Sequence, residues 1–194
     1  MTEKLFYKDA YIKEFEAKVL SCEKDKNLYK IILDKTAFFP EGGGQTSDTG
    51  FIGDAKVTDV QEIDGGIIHF ADKEAEGTVF CKLDFERRYL KMQSHTGEHI
   101  MSGIAHNLFG AENVGFHLGD DVVTMDYDIQ FTKEQLEQIE LEANKIIYQN
   151  KEILCYFPNE EELDNLEYRA KLDLKENVRI VEIKDCDFCA CCAP

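Results

Sequence analysis

The sequence predicts an α+β protein in two parts, a small antiparallel β barrel over residues 1–86 packed against an α+β domain over residues 87–194. Three observations carry that expectation. Short segments of period-two alternation, separated by turn residues, fill the first 85 positions with no competing helical pattern. Beyond Phe85 the apolar residues recur at helical spacing, in blocks that alternate with short strand-like runs. No low-complexity linker or internal repeat separates the parts, so they are expected to pack together.

Each element has its own signal. Phe15, Ala17 and Val19 alternate with Glu14, Glu16 and Lys18, the pattern of a half-buried strand. Lys24-Asp25-Lys26-Asn27 turns the chain and Leu28–Leu33 returns it. Ala55–Ile63, residues 66–70 and Thr78–Leu83 predict three more strands, with Asp64-Gly65-Gly66 as a tight hairpin signal. A helix over 87–109 presents Tyr89, Met92, Ile100, Ile104 and Leu108 inward, despite the helical cost of Gly97 and Gly103. Strands follow at 114–118 and 122–129. Thr132 with Gln135 forms a capping-box signal that opens a second helix, whose Leu136, Ile139, Ala143, Ile146 and Ile147 share a face. A strand at 153–157 ends at Pro158. Asn159 and Glu162 cap a short acidic helix reaching Ala170, and residues 178–183 form the last strand.

Charge and cysteine usage bound the function. The chain carries 22 basic and 39 acidic side chains, net −17, which repels polyanions at long range. A nucleic-acid role therefore needs a local basic patch, and Arg87, Arg88 and Lys91 form a compact basic group. No apolar run approaches the roughly 18 residues of a membrane span, and the amino end lacks the layout of a signal peptide. The expected setting is cytoplasmic, without a membrane or DNA partner. Of seven cysteines, Cys186, Cys189, Cys191 and Cys192 crowd the last nine positions, a terminal cluster that reads as a metal site in a reducing compartment.

Three motifs carry chemistry. In His95-Thr96-Gly97-Glu98-His99 the two imidazoles lie four apart on one helix face, where both reach one cation. The tail thiolates are the softest ligands the chain offers and suit Zn²⁺; a sulfur from the tail with nitrogens from His95 and His99 makes a mixed site. Thr36-Ala37-Phe38-Phe39-Pro40-Glu41-Gly42-Gly43-Gly44-Gln45 either lets the backbone approach a ligand closely or forms a barrel turn. Glu98, one residue from His99, sits about 100° round the helix, where it serves as a partner of the ligands, a proton shuttle or a solvated residue.

Phe38-Phe39-Pro40-Glu41-Gly42-Gly43-Gly44-Gln45 with Ser47-Asp48-Thr49-Gly50, then the paired histidines, then a cysteine-rich end, resembles the AlaX family, free-standing relatives of the alanyl-tRNA synthetase editing domain. The likeness runs in order over nearly the whole chain. It implies a glycine-motif barrel joined to an α+β editing domain of the threonyl/alanyl-tRNA synthetase type. It also implies hydrolysis of tRNA(Ala) mischarged with serine, or in some members glycine, at a zinc site of pattern H-x-x-x-H and C-x-x-x-H. By that resemblance His95, His99 and Cys191 are metal ligands, and the fourth ligand falls at position 195, one beyond the last residue, as in a chain that continues; Cys189 or a water is the substitute. Thr36 offers its hydroxyl to the seryl side chain. Gly42, Gly43, Gly44 and Gln45 hold the aminoacyl end, and Gln45 is a catalytic candidate. Read from the residues themselves, Glu98 is the other catalytic candidate, and Arg88 either meets tRNA phosphate or makes a surface salt bridge.

Two other readings use the same residues. His95-Thr96-Gly97-Glu98-His99 also satisfies the H-x-x-E-H metalloprotease signature, with Glu176 near the distal glutamate position. A binding module stapled by zinc through all four tail cysteines is the non-enzymatic alternative.

Overall fold

The computed structural model describes residues 2–119, 122–170 and 178–194. The chain divides into two compact units, one running to Met92 and including Ala193–Pro194, the other Gln93–Cys192.

The first unit is built from strands β1 (Glu3–Lys4), β2 (Glu14–Asp25), β3 (Leu28–Leu33), β4 (Lys35–Thr36), β5 (Gly50–Ile52), β6 (Ala55–Ile63), β7 (Gly66–Ala71) and β8 (Thr78–Leu83). β1 and β4 pair in parallel. The other six pair antiparallel in the order β2-β3-β7-β6-β5-β8, and β8 returns to β2, so the sheet closes on itself and leaves no open edge. Closure depends on the length of β2. Its Glu14–Lys18 half pairs with β8 and its second half with β3, with a bulge between Val19 and Ser21 where the partner changes. Alternation then buries Phe15 and Ala17 of β2 with Ile31, Leu33, Val57, Ile67 and Leu83. The β6–β7 turn places Asp64 at φ 51° and Gly65 at φ 76°, the left-handed pair that a two-residue hairpin requires.

Arg88 corrects an expectation. It lies on α1 (Phe85–Phe109), but it is among the most buried side chains of the protein and does not face solvent as a phosphate contact would. Its Nε donates to both Asp48 carboxylate oxygens at 2.9 Å, its Nη2 donates to Asp48 Oδ2 and to the Ala37 carbonyl at 2.7 Å, and its Nη1 donates to the Ala10 carbonyl at 3.2 Å. Asp48 Oδ2 also accepts from Phe39 N–H at 2.7 Å, so one ion pair pins the aromatic stretch after β4. Its neighbours are engaged too: Arg87 donates to Ser47 and Thr46, and Lys91 is buried. Removing one partner of a buried pair leaves the other charge uncompensated, so Arg88→Ala is expected to cost about 3–5 kcal/mol of stability in denaturant unfolding. A loss within about 0.5 kcal/mol, the range of an ordinary surface substitution, would contradict this role.

The second unit contains the rest of α1, a hairpin of β9 (Asn113–Leu118) and β10 (Val123–Tyr127), helix α2 (Lys133–Tyr148), β11 (Ile153–Tyr156), the short α3 (Glu160–Asp164), β12 (Ile180–Ile183) and β13 (Asp187–Ala190). The last three strands form an antiparallel sheet in the order β11-β12-β13. Both capping boxes are present, at Thr132 with Gln135 and at Asn159 with Glu162. The acidic helix stops at Asp164 instead of reaching Ala170, because the chain turns to bridge β13 through Arg169 and Cys189. Ile100, Ile104, Ala105, Ala111, Ile139, Ala143, Ile183 and Cys186 make the core of this unit.

Four residues expected inward are exposed: Tyr89, Leu108, Leu136 and Ile147. On α1 Ile100 and Ile104 are buried as expected, and beside them runs a buried stripe of Arg88, Lys91, His95, Glu98, His99, Ser102 and Ala105, a 3.6-residue period written mostly in polar side chains. No helix among the described residues is long and apolar enough to cross a membrane.

Candidate functional site

The two histidines of α1 behave as their spacing requires. The His95 and His99 rings stack 5.3 Å apart at 12°, side by side on the helix face, and both are buried. Cys191 comes from the other end of the unit, its Sγ 3.5 Å from His95 Nε2. The three ligand atoms of His95, His99 and Cys191 all lie within 4.8 Å of one another. On β9, Phe116 closes one side, with its ring 4.8 Å from that of His95.

The tail reaches this place as a strand. β13 pairs with β12 from Ile183↔Asp187 to Ile180↔Ala190, and alternation buries Asp187 and Cys189 while Phe188 and Ala190 are only partly covered. The close approach to α1 depends on Gly103, where an added Cβ would lie 2.4 Å from the Cys186 carbonyl oxygen and 2.8 Å from Asp187 Cβ. Through that approach His99 Nδ1 reaches Asp187 Oδ2 at 2.8 Å, and Arg169 Nε donates to Asp187 Oδ1 at 2.8 Å. A second group of potential ligand atoms is His99, Asp187 and Cys189. Asp187 and Arg169 were not anticipated from the sequence. The signal available for Asp187 was the alternation Asp187-x-Cys189-x-Cys191, which on a strand puts all three on one face.

The electrostatics follow from these contacts. Burial opposes charge on His99, but Asp187 and the Cys189 and Cys191 thiols outweigh it and hold the imidazole pKa well above its ordinary value. Burial likewise opposes a Cys191 thiolate, and His95 and His99 overcome it, so that the thiol pKa falls well below normal. The Asp187 carboxyl is pulled down against its burial by His99 and Arg169. Cys186 is different. Burial pushes its pKa up to about 11, its thiol faces the Ile100 carbonyl, and it belongs to the apolar core. With Cys192 exposed, the four tail cysteines do not gather round one ion.

Glu98 is buried, which excludes the solvated reading. Its Oε1 accepts from Ser102 Oγ–H at 2.8 Å and from Asn113 Nδ2–H at 2.7 Å, and Ser102 adjoins the Tyr127 hydroxyl at 3.2 Å. Glu176 lies outside the described residues.

The remaining candidates belong to the first unit. Gly42 and Gln45 exchange backbone hydrogen bonds at 3.0 Å across Gly43 and Gly44, both left-handed at φ 59° and 79°. The glycine run is thus a tight two-residue turn, which explains two of its glycines by conformation alone. Gln45 is buried beside it. Thr36 is fully buried, with its hydroxyl 2.8 Å from His69 Nε2.

The family described as tRNA synthetases class II (A) matches residues 2–84. The alanyl-tRNA editing protein AlaX-L of Pyrococcus horikoshii is 36% identical over 98% of this chain, which spans 50% of that protein. The alanine–tRNA ligase of Ignicoccus hospitalis is 35% identical over 98% of the chain, which spans 22% of it. The alanyl-tRNA editing protein AlaX-M of Saccharolobus solfataricus is 40% identical over 84% of the chain and is covered over 72% of its own length. The chain therefore spans about half or less of the first two relatives and most of the third. It belongs to the AlaX family of alanyl-tRNA editing proteins.

Proposed function

We propose that this AlaX-family chain hydrolyses the ester that joins a wrongly attached serine, or glycine, to the terminal adenosine of tRNA(Ala), with zinc held by His95, His99 and Cys191, in the cytoplasm. The observation that carries the proposal is the convergence of those two imidazoles and one thiol. Their chemistry and separation suit the ion: tetrahedral zinc at ordinary Zn–N and Zn–S lengths sets nitrogen and sulfur about 3.6 Å apart, and His95 Nε2 and Cys191 Sγ are separated by 3.5 Å. When bound, zinc supplies a Lewis acid that polarises a carbonyl or lowers the pKa of water towards about 7.

The chain's own residues supply the rest. Asp187, accepting from His99 Nδ1–H, turns the other ring nitrogen towards the ligand set. Glu98, with one oxygen already taken by Ser102 and Asn113, holds the buried polar stripe of α1 in place. Gln45 and the Gly42–Gly44 turn are assigned to the aminoacyl end, and Thr36 to the seryl hydroxyl. The Arg88 phosphate contact is withdrawn, given its burial against Asp48.

Selectivity gives the test. A pocket that hydrogen-bonds a hydroxyl loses that contact when the hydroxyl or its partner is removed. Thr36→Val is expected to slow single-turnover deacylation of seryl-tRNA(Ala) about 10-fold or more and to leave the glycyl form nearly unchanged. Equal losses on both substrates would remove Thr36 from the recognition of serine.

A further inference from the structure

A buried histidine that takes no part in the chemistry above lies against Thr36. His69, on β7, is wholly buried and is set opposite Ile31 by the pairing of β3 with β7. Its Nδ1 is 3.0 Å from the Ile31 carbonyl oxygen and its Nε2 is 2.8 Å from Thr36 Oγ1. Phe38 packs against the ring in a T-shaped pair, with centroids 5.5 Å apart at 78°.

These contacts fix where the protons are. A carbonyl oxygen only accepts, so Nδ1 carries the hydrogen. Burial drives the imidazole pKa down to about 4, so the ring is neutral near pH 7 and Nε2 presents a lone pair. The Thr36 hydroxyl therefore donates its single proton to His69. Phe38 N–H donates to the same oxygen at 3.1 Å. A hydroxyl oxygen has two lone pairs, one of which Phe38 occupies. Among the described residues nothing else bonds to Thr36 Oγ1, so it offers one remaining acceptor position and no donor.

We infer that His69 is a specificity-positioning residue, which locks the Thr36 hydroxyl as a hydrogen-bond acceptor and thereby selects aminoacyl side chains that donate. The inference rests on the assignment of Thr36 to the substrate side chain and adds the polarity of that contact. Serine satisfies it. A side chain of similar size that has no proton to give, such as 3-fluoroalanine, leaves Thr36 unpaired, and glycine makes no contact there.

The test measures single-turnover deacylation of tRNA(Ala) carrying seryl, 3-fluoroalanyl or glycyl groups. The wild-type chain is expected to prefer seryl to 3-fluoroalanyl by about tenfold or more, the effect of one unmatched buried acceptor. In His69→Leu the Thr36 hydroxyl is released to donate, and that preference is expected to collapse to within about threefold while the glycyl rate stays near wild type. His69→Gln, with an amide oxygen near the former Nε2 position, is expected to restore most of the preference. An unchanged preference in His69→Leu, no restoration by His69→Gln, or an equal fall on glycyl-tRNA would each overturn the inference. If Thr36→Val does not slow seryl hydrolysis, the underlying assignment of Thr36 fails instead. A long-range ¹⁵N–¹H spectrum of the wild-type chain needs no variant: the Nδ1–H tautomer of His69 is expected, and an Nε2–H tautomer overturns the inference.

Discussion

His95→Ala is expected to lower single-turnover release of serine from seryl-tRNA(Ala) by about 10³-fold or more, the several kcal/mol that a bound metal contributes to charge stabilisation. The same variant is expected to lose its zinc. The argument is geometric. His95 Nε2 lies 3.5 Å from Cys191 Sγ, and its buried ring packs against those of His99 and Phe116. Alanine leaves one imidazole and one thiol, too few to compete with water for a cation. The fold is expected to survive, because His95 lies outside the apolar cluster that packs α1 on α2. The control is seryl-tRNA(Ser), which should remain charged with wild type and variant alike. Retained activity in His95→Ala would contradict the proposed site. Cleavage of an unstructured peptide without deacylation would transfer the same residues to the protease reading.

Asp187→Asn is the second large effect. Asp187 accepts from His99 and from Arg169 with its two oxygens, at 2.8 Å each, while buried. It sets the His99 tautomer and supplies the negative charge that Arg169 needs. Loss of such a partner behind a ligating histidine typically weakens metal binding about 10–100-fold. Competition with a chromogenic chelator is expected to show that weakening in Asp187→Asn, with His99 and Cys191 both intact. Unchanged zinc affinity would reduce Asp187 to a strand-packing residue. Both variants remove the counter-charge of Arg169, but Asp187→Ala should unfold more readily than Asp187→Asn, because the asparagine amide oxygen still accepts a hydrogen bond and alanine leaves the buried donors unpaired.

The strands of the first unit were legible because alternation and turn chemistry agree there: β3, β6 and β8 have the predicted ends, and Asp64 and Gly65 make the predicted hairpin. The metal-ligand candidates were legible for a similar reason, since a four-residue step on a helix is a geometric statement as well as a chemical one. Elsewhere, polar burial defeated the reading. Apolar periodicity places the inward face of α1 through Tyr89 and Leu108 as well as Ile100 and Ile104, whereas beside Ile100 and Ile104 the helix buries Arg88, Lys91, Glu98 and Ser102; Arg88 bonds to Asp48 and Glu98 to Asn113, both distant in sequence, and to Ser102 one turn on. The cysteine tail hid β13. Four thiols in nine positions draw attention to ligation, and the strand alternation of Asp187 and Cys189 beneath it goes unread. Gly103 looked like a weak point in a helix, and only the crossing of Cys186–Asp187 explains it. The net −17 stands, and the basic residues expected to offset it, Arg87, Arg88 and Lys91, are engaged within the first unit or buried there.

Metal stoichiometry bears most directly on the whole account. Native mass spectrometry with elemental analysis, performed on the wild-type chain and on the double variant His95→Ala/His99→Ala, is predicted to find one zinc per wild-type chain and none in the variant. One zinc per chain in both would mean that the ion sits elsewhere, and the proposed centre would be wrong.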